Sequence, residues 1–316
     1  MDETLAGDNP AEAARWCKIV VVPLKQERIG MTIVWVLLGL SFVIGFIPFR
    51  HPSVWTIYAI GNIATIICLI YCSLWAGWRT ALKMFALTFA IGYIAEFIGV
   101  RMRSESTFGG YHYTEVLNGP LVFGVPPITM IDYFALGYPA YVMARVIAGN
   151  EFRRISALKS LGVAVLAALI MVTHDLSVDP TQATVRKLWI WEGGGAYFGV
   201  PLHNFVDWFF VTSIFLFLYR FLTSTSGAME FIAMKTERRF YLPPILVYLA
   251  FSLPVMLSPL LHGETEISLS MSGVAMFATT IPVLAAVLAL YRDDRQAVTN
   301  WIDRKSGSAG MPRPIA

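Results

Sequence analysis

The chain has 316 residues, of which 56% are hydrophobic and only 14% are charged, and its mean hydropathy is +0.61. This composition excludes an ordinary soluble domain and predicts a polytopic membrane protein. The net charge of +3 is too small to indicate a nucleic-acid partner.

Apolar segments long enough to cross a bilayer recur along the whole chain. The hydrocarbon core is about 30 Å thick, so a spanning helix needs about 20 apolar residues. We predict an all-α bundle of about eight transmembrane helices, near 30–49, 54–77, 81–100, 121–145, 156–174, 203–222, 242–261 and 269–291. A single transmembrane domain at 30–291 then lies between an N-terminal tail at 1–29 and a C-terminal tail at 292–316.

Basic residues fall unevenly on the two sides of this arrangement. Of the 24 Lys and Arg residues, 19 lie in the tails and in the loops on the same side, and five lie on the other side. Because cytoplasmic segments carry the excess of basic residues, both termini are expected in the cytoplasm. Acidic residues near the start, such as Asp2 and Glu3, predict that the first span is not a cleaved signal peptide.

One pattern occurs twice on the predicted non-cytoplasmic side. Phe123 begins FGVPPITMIDYF and Phe198 begins FGVPLHNFVDWFF, and each segment enters an apolar span. We interpret this as a parallel internal repeat, with hairpins at about 81–149 (spans 3 and 4) and 156–222 (spans 5 and 6). A pseudo-twofold axis along the membrane normal would relate the two hairpins.

Each predicted hairpin has an acidic residue where its first span ends, Glu96 in the first and Asp175 in the second. An ionisable group at this depth is costly unless it faces the protein interior, so both are candidate catalytic residues. Alternatively, Glu96 pairs with Arg101 or Arg103 and only stabilises a helix end.

Asp179 follows Asp175 by four residues, so a helix places both carboxyl groups on one face before Pro180 ends or redirects it. Two carboxyl groups in an apolar setting are typical of a proton donor and its partner. The alternative for Asp179 is that it caps the turn at Thr181.

Two further acids lie in the repeated segments, and a set of aromatic residues is concentrated in the two loops that contain these segments. Asp132 and Asp207 are candidate catalytic acids, although a structural hydrogen-bond network explains their positions equally well. Candidate substrate-binding residues are Tyr111, Tyr113, Trp189, Trp191, Tyr197, Phe198, His203, Asn204 and Trp208. The aromatic members suit an interfacial belt, and they also suit stabilisation of a cation by ring faces.

Other catalytic classes lack their sequence signals. No two of the five histidines lie within five positions of each other, as the histidine clusters of membrane di-iron enzymes require. No glycine-rich dinucleotide motif opens a helix after a strand. We therefore expect no metal and no cofactor, and we expect acid chemistry on a lipid-soluble substrate.

Several segments resemble a known family: EFIGV at Glu96, FGGYHYTEVLNGPLVFGVP at Phe108, DLSVDP at Asp175 and WIWEGGGAYFGVPLHNFVDW at Trp189. Over about Ala81 to Arg220 the chain is similar to the bacterial and archaeal carotenoid biosynthesis membrane proteins. The characterised members are CruF-type carotenoid hydratases that act on γ-carotene or bisanhydrobacterioruberin. In that family a small or apolar residue is usual near Asp132 and Asp207, so these two acids depart from its pattern.

The resemblance implies a hydro-lyase in the inner membrane of a bacterial or archaeal cell. Such an enzyme protonates the terminal double bond of an acyclic carotenoid, and water captures the tertiary cation. Asp175 or Glu96 would donate the proton, Asp179 would orient the donor or activate water, and Asn204 with His203 would place the water. Carotenoid, water and membrane lipid would be the partners, and contact with other enzymes of the carotenoid pathway stays open.

Three other functions remain as alternatives. A carotenoid cyclase would use the same protonation step. An intramembrane prenyltransferase would use Asp175 and Asp179 to hold Mg²⁺ on a diphosphate. A transporter would use the repeated half-helices as an ion site.

Overall fold

The computed structural model describes residues 24–46, 54–102, 109–117, 119–149, 155–223, 238–262 and 265–308. Within these ranges it has eight long helices: α1 (Leu24–Phe46), α2 (Val54–Ala76), α3 (Trp78–Arg101), α4 (Pro127–Ile147), α5 (Ala157–Asp179), α6 (Leu202–Thr223), α7 (Leu242–His262) and α8 (Glu266–Ser308). Short 3₁₀ helices occupy Glu115–Leu117 and Arg238–Phe240. Most of the predicted N-terminal tail (1–23), the end of the C-terminal tail (309–316) and Arg103 lie outside the described residues.

Seven of these eight helices are long and apolar enough to cross a membrane, α4 being the exception. Their outward faces carry exposed large apolar side chains such as Val36, Phe210 and Leu288, as expected of surfaces that contact lipid. In α4 every residue from 134 to 146 is buried. Because protein surrounds this helix, it can include polar residues that a lipid-facing helix excludes. The predicted polytopic helical bundle is confirmed.

Helix α4 lies at the centre of the bundle, where it packs against α2, α3, α5, α7 and α8. Trp75 of α2 donates its indole N–H to the hydroxyl of Tyr138 at 2.6 Å. Arg145, which the charge count assigned to a loop, is 2% exposed in the last turn of α4 and donates to the Tyr141 hydroxyl at 2.9 Å. Buried polar pairs therefore supplement apolar packing along this helix.

Helices α3 and α5 each pack against both α4 and α6. A twofold axis that exchanged the hairpin α3–α4 with the hairpin α5–α6 would produce this set of contacts. The internal repeat itself remains a prediction.

A small sheet covers one end of these four helices. Strand β1 (Tyr111–Tyr113) pairs antiparallel with β2 (Trp189–Trp191), and Tyr111 lies opposite Trp191. The two loops that carry these strands are thereby joined directly to each other.

The two Phe-Gly-Val-Pro segments adopt the same tight turn. Phe123 and Phe198 both have φ of 49°, and the glycines that follow, Gly124 and Gly199, have φ of 86° and 88°. The left-handed conformation explains the glycine at the second position, because glycine adopts it without steric cost, whereas Phe123 and Phe198 adopt it at a cost.

After Asp179 the chain continues through a π-helical segment, Pro180–Val185, as expected from the proline. Thr184 in this segment donates its hydroxyl to the Phe198 carbonyl at 2.6 Å. The π-helical segment thus fixes the second Phe-Gly-Val-Pro turn against the end of α5. Such segments frequently occur at functional sites.

Candidate active site

A cavity of about 170 Å³ lies beneath the two-stranded sheet, between α3, α4, α5 and α6, with α2 and α7 closing its sides. Its wall is largely apolar. Four carboxyl groups line it: Glu96 from α3, Asp132 from α4, and Asp175 and Asp179 from α5. Acidic side chains from both predicted hairpins therefore share one cavity.

Asp175 and Asp179 lie together on this cavity, as their spacing predicts, and Asn204 of α6 joins them. The Asn204 amide donates to Asp179 Oδ2, and its nitrogen is 3.5 Å from Asp175 Oδ2. Asp179 also accepts a hydrogen bond of 2.8 Å from the Trp189 indole and makes no helix-capping bond. The alternative that Asp179 caps the turn at Thr181 is therefore wrong.

Asp175 has fewer partners than its neighbour. Across the described ranges its one hydrogen-bond contact is the long one to Asn204. Its side chain is only partly buried and lines the cavity, whereas Asp179 is 3% exposed. Of the two carboxyl groups, Asp175 is the more available to a ligand.

Glu96 is buried, and three tyrosine hydroxyls donate to it. Tyr111 and Tyr113 of β1 reach Oε2 at 2.5 Å and 2.8 Å, and Tyr133 of α4 reaches Oε1 at 2.6 Å. Arg101 instead stacks over the Phe97 ring, with its guanidinium carbon 4.7 Å from the ring centre. Glu96 is therefore held by phenols, and the alternative that it pairs with Arg101 is wrong.

The two tyrosines of β1 lie outside the membrane-spanning helices. Burial raises the pKa of the Tyr111 and Tyr113 phenols well above their usual range, and the nearby Glu96 carboxylate raises each pKa further. Both residues therefore remain O–H donors to Glu96 at neutral and mildly alkaline pH.

Aromatic side chains form pairs around these acids. Ring centres are 4.7 Å apart in the Tyr111–Trp191 pair, 6.0 Å in the Tyr113–Trp189 pair and 4.2 Å in the Tyr133–Trp208 pair. All six residues line the cavity. Tyr133 and Trp208 occupy matching positions in the two Phe-Gly-Val-Pro segments, and their rings are in contact.

Asp132 lies where α4 meets α2. Its Oδ1 is buried, and no described residue donates a hydrogen bond to it. A Cβ atom placed on Gly61 of α2 would overlap this oxygen. The glycine therefore makes room for the carboxyl group between the two helices.

Four predicted site residues lie away from the main cavity. Asp207 lines a separate cavity of about 10 Å³ together with Gly99 and Gly109. His203 is 3.3 Å from the Gly109 carbonyl oxygen through Nε2. Tyr197 packs on Phe198 and Phe205, and Phe198 is 40% exposed.

Several polar residues that line the cavity were not predicted from the sequence, among them Tyr133, His174, Gln182 and Arg186. Tyr133 directly follows Asp132 in a motif that occurs twice in the sequence. This position is the sequence signal that could have identified Tyr133 as a site residue. His174 directly precedes Asp175. In helices that are apolar all round, the sequence does not show which neighbouring face points inward.

Comparison with known proteins identifies the family. The family model described as carotenoid biosynthesis protein matches residues 53–288. A curated relative, the bisanhydrobacterioruberin hydratase of Haloarcula japonica, is 31% identical over 144 residues, which are 45% of this chain and 45% of the relative. The match thus spans less than half of the relative's length, and no solved structure matches the chain. Because the family match covers most of the sequence, this chain is a member of the carotenoid biosynthesis protein family.

Proposed function

We propose that the protein is a carotenoid hydratase that adds water across the terminal double bond of an acyclic carotenoid end group. The observation that carries the proposal is the Asp175–Asp179 pair on a largely apolar cavity beneath aromatic rings. The family and the hydratase relative support a carotenoid substrate.

In the proposed reaction Asp175 donates its proton to the CH carbon of the terminal isopropylidene double bond. Positive charge develops on the carbon that bears the two methyl groups, and water adds there to leave a tertiary alcohol. Proton transfer from a positioned side chain typically contributes 10²- to 10⁴-fold to the rate. Asp175 suits this role because its contact with Asn204 is long and its side chain lines the cavity.

The remaining polar groups have supporting roles in this mechanism. Asn204 and Trp189 hold Asp179, which orients Asp175. Glu96 is buried among three phenols and provides negative potential for the cation. The Tyr133–Trp208 and Tyr111–Trp191 pairs offer ring faces, and cation–π contacts are worth about 2 kcal/mol when desolvated.

The size of the cavity fits one end of such a substrate. An engineered apolar cavity of about 150 Å³ binds a benzene molecule. A cavity of about 170 Å³ therefore has room for a terminal isoprenoid group but not for a whole polyene. The rest of the carotenoid would extend outward into lipid.

The test is expression of the full chain in cells that accumulate lycopene or a longer acyclic carotenoid, followed by mass spectrometry of the extracted pigments. The proposal predicts products heavier by one or two waters. A product of unchanged mass with a cyclised end would overturn it in favour of the cyclase. Unchanged carotenoid would exclude both reactions.

A further inference from the structure

His174 is a buried histidine in the cavity wall whose role the proposed mechanism leaves open. It is 1% exposed and directly precedes Asp175 in α5. The rings of Tyr248 and Phe251 from α7 lie 5.6 Å and 5.8 Å from the imidazole centre. Its Nδ1 is 3.0 Å from the Ser252 hydroxyl, also on α7.

The contacts of Ser252 favour one tautomer of the His174 imidazole. Ser252 Oγ is 3.0 Å from the backbone carbonyl oxygen of Tyr248, as well as 3.0 Å from His174 Nδ1. A hydroxyl has one hydrogen, and a carbonyl oxygen can only accept. Both contacts are hydrogen bonds at once only when Ser252 donates to Tyr248 and accepts from His174, and this arrangement puts the hydrogen on Nδ1 and the lone pair on Nε2.

This second nitrogen lacks a partner. Nε2 is fully buried, and nothing in the described part of the chain makes a hydrogen bond to it. Buried polar atoms in proteins nearly always have a hydrogen-bond partner, which can be water or a ligand. Because His174 is among the residues that line the cavity, a small hydroxylic donor that enters the cavity is the natural partner for this buried acceptor, and water is the simplest such donor.

We propose that His174 Nε2 binds the water that captures the carotenoid cation and accepts its proton. The inference rests on the proposed hydration. The water oxygen forms a bond to the tertiary carbon while one of its O–H bonds breaks, and that proton passes to Nε2. Asp175 has already given its proton to the neighbouring carbon, so return of the proton from His174 to Asp175 restores the site, and the net change is addition of one water.

His174 suits this role better than His203, the histidine that the sequence predicted for placing water. His203 Nε2 faces the Gly109 carbonyl oxygen at 3.3 Å, and its side chain does not line the main cavity. His174 lines the cavity beside Asp175. Proton donor and water acceptor are then consecutive residues of one helix.

The test separates protonation from water capture. Membranes containing the full chain are incubated with an acyclic carotenoid in D₂O, and both the hydrated product and the deuterium content of recovered substrate are measured. Reversible protonation places deuterium on the terminal CH carbon even when water does not add. For His174→Phe we expect hydration to fall roughly 100-fold or more, while deuterium still enters the recovered substrate.

Two other variants complete the experiment. His112 lies on β1 with an imidazole that is 53% exposed, so His112→Phe is the matched control and should keep both signals. His174→Gln retains a hydrogen-bond acceptor that can hold water but cannot take its proton, so it should hydrate slowly and still exchange.

Other outcomes overturn the inference. If either His174 variant hydrates at the wild-type rate, His174 does not handle the water. If both variants retain carotenoid but lose hydration and exchange together, His174 only positions Asp175. If the wild type exchanges deuterium without adding water, the proposed hydration fails, and the inference fails with it.

Discussion

Asp175 and Glu96 occupy corresponding positions in the two predicted hairpins, yet different groups hold them. Three phenols donate to Glu96, whereas among the described residues Asp175 has one long contact, to Asn204. A carboxyl group whose oxygens are already occupied by donors is poorly placed to deliver a proton. The two copies are therefore assigned different roles, proton donor for Asp175 and electrostatic support for Glu96.

This assignment predicts unequal effects of two isosteric changes. Asp175→Asn should lower turnover by roughly 10²- to 10⁴-fold, because the amide cannot protonate an alkene. Glu96→Gln should reduce activity less, since it changes only the polarity around the cation. Product formation is compared at equal protein levels with retained carotenoid binding. If Asp175→Asn is nearly unaffected while Glu96→Gln is inactive, the proton donor is Glu96 of the first hairpin and the assignment is contradicted.

Asn204 is the residue that joins the two carboxyl groups of α5. Asn204→Leu removes a donor that contacts both Asp175 and Asp179, so we expect hydration and deuterium exchange to fall together. Asn62, an exposed amide on α2, provides the control, and Asn62→Leu should retain activity. Normal exchange in Asn204→Leu would show that the amide does not organise the acids.

Much of the cavity at this scale could be predicted from local sequence. The spacing of four between Asp175 and Asp179 fixes a common helical face, and both residues lie on the cavity. Asp207 shows where this reasoning fails. Asp207 lies three residues after Asn204, so its side chain points about 60° away from that of Asn204 around the axis of α6. This difference in direction places Asp207 in the small cavity beside Gly99.

At the scale of elements, α2 and α4 can approach closely because Gly61 of α2 has no side chain. A methyl group at Gly61 would overlap Asp132 Oδ1, so Gly61→Ala should destabilise the protein by about 1–3 kcal/mol through overpacking. Gly162 in α5 has open space around its Cβ position, so Gly162→Ala is the control. Thermal unfolding in detergent measures both, and equal midpoints would contradict the packing of Asp132 against α2.

Helix positions were easier to predict than the structure of the loops. All eight long helices overlap the predicted spans, because length and hydropathy determine them locally. The pairing of β1 with β2 joins residues about 80 positions apart, and no turn motif links the two strands. Consequently Tyr111 and Tyr113 were predicted as site residues, but their hydrogen bonds to Glu96 were not predictable.

At the scale of the whole molecule, the charge bias predicts the orientation in the membrane. A reporter fused after Ala316 should be cytoplasmic, and a reporter inserted at Gly119, in the loop between α3 and α4, should be external. Protease access or reporter activity in intact cells measures this. The opposite pattern would place the sheet and the acids near the cytoplasmic face and contradict the charge count.

The central claim is that water, added after protonation, supplies the new hydroxyl group. Parallel incubations of the wild-type protein with an acyclic carotenoid in H₂¹⁸O and under ¹⁸O₂ test it most directly, with the oxygen label of the product read by mass spectrometry. The hydratase account predicts label from water and none from dioxygen. A hydroxyl group labelled from ¹⁸O₂ would contradict it.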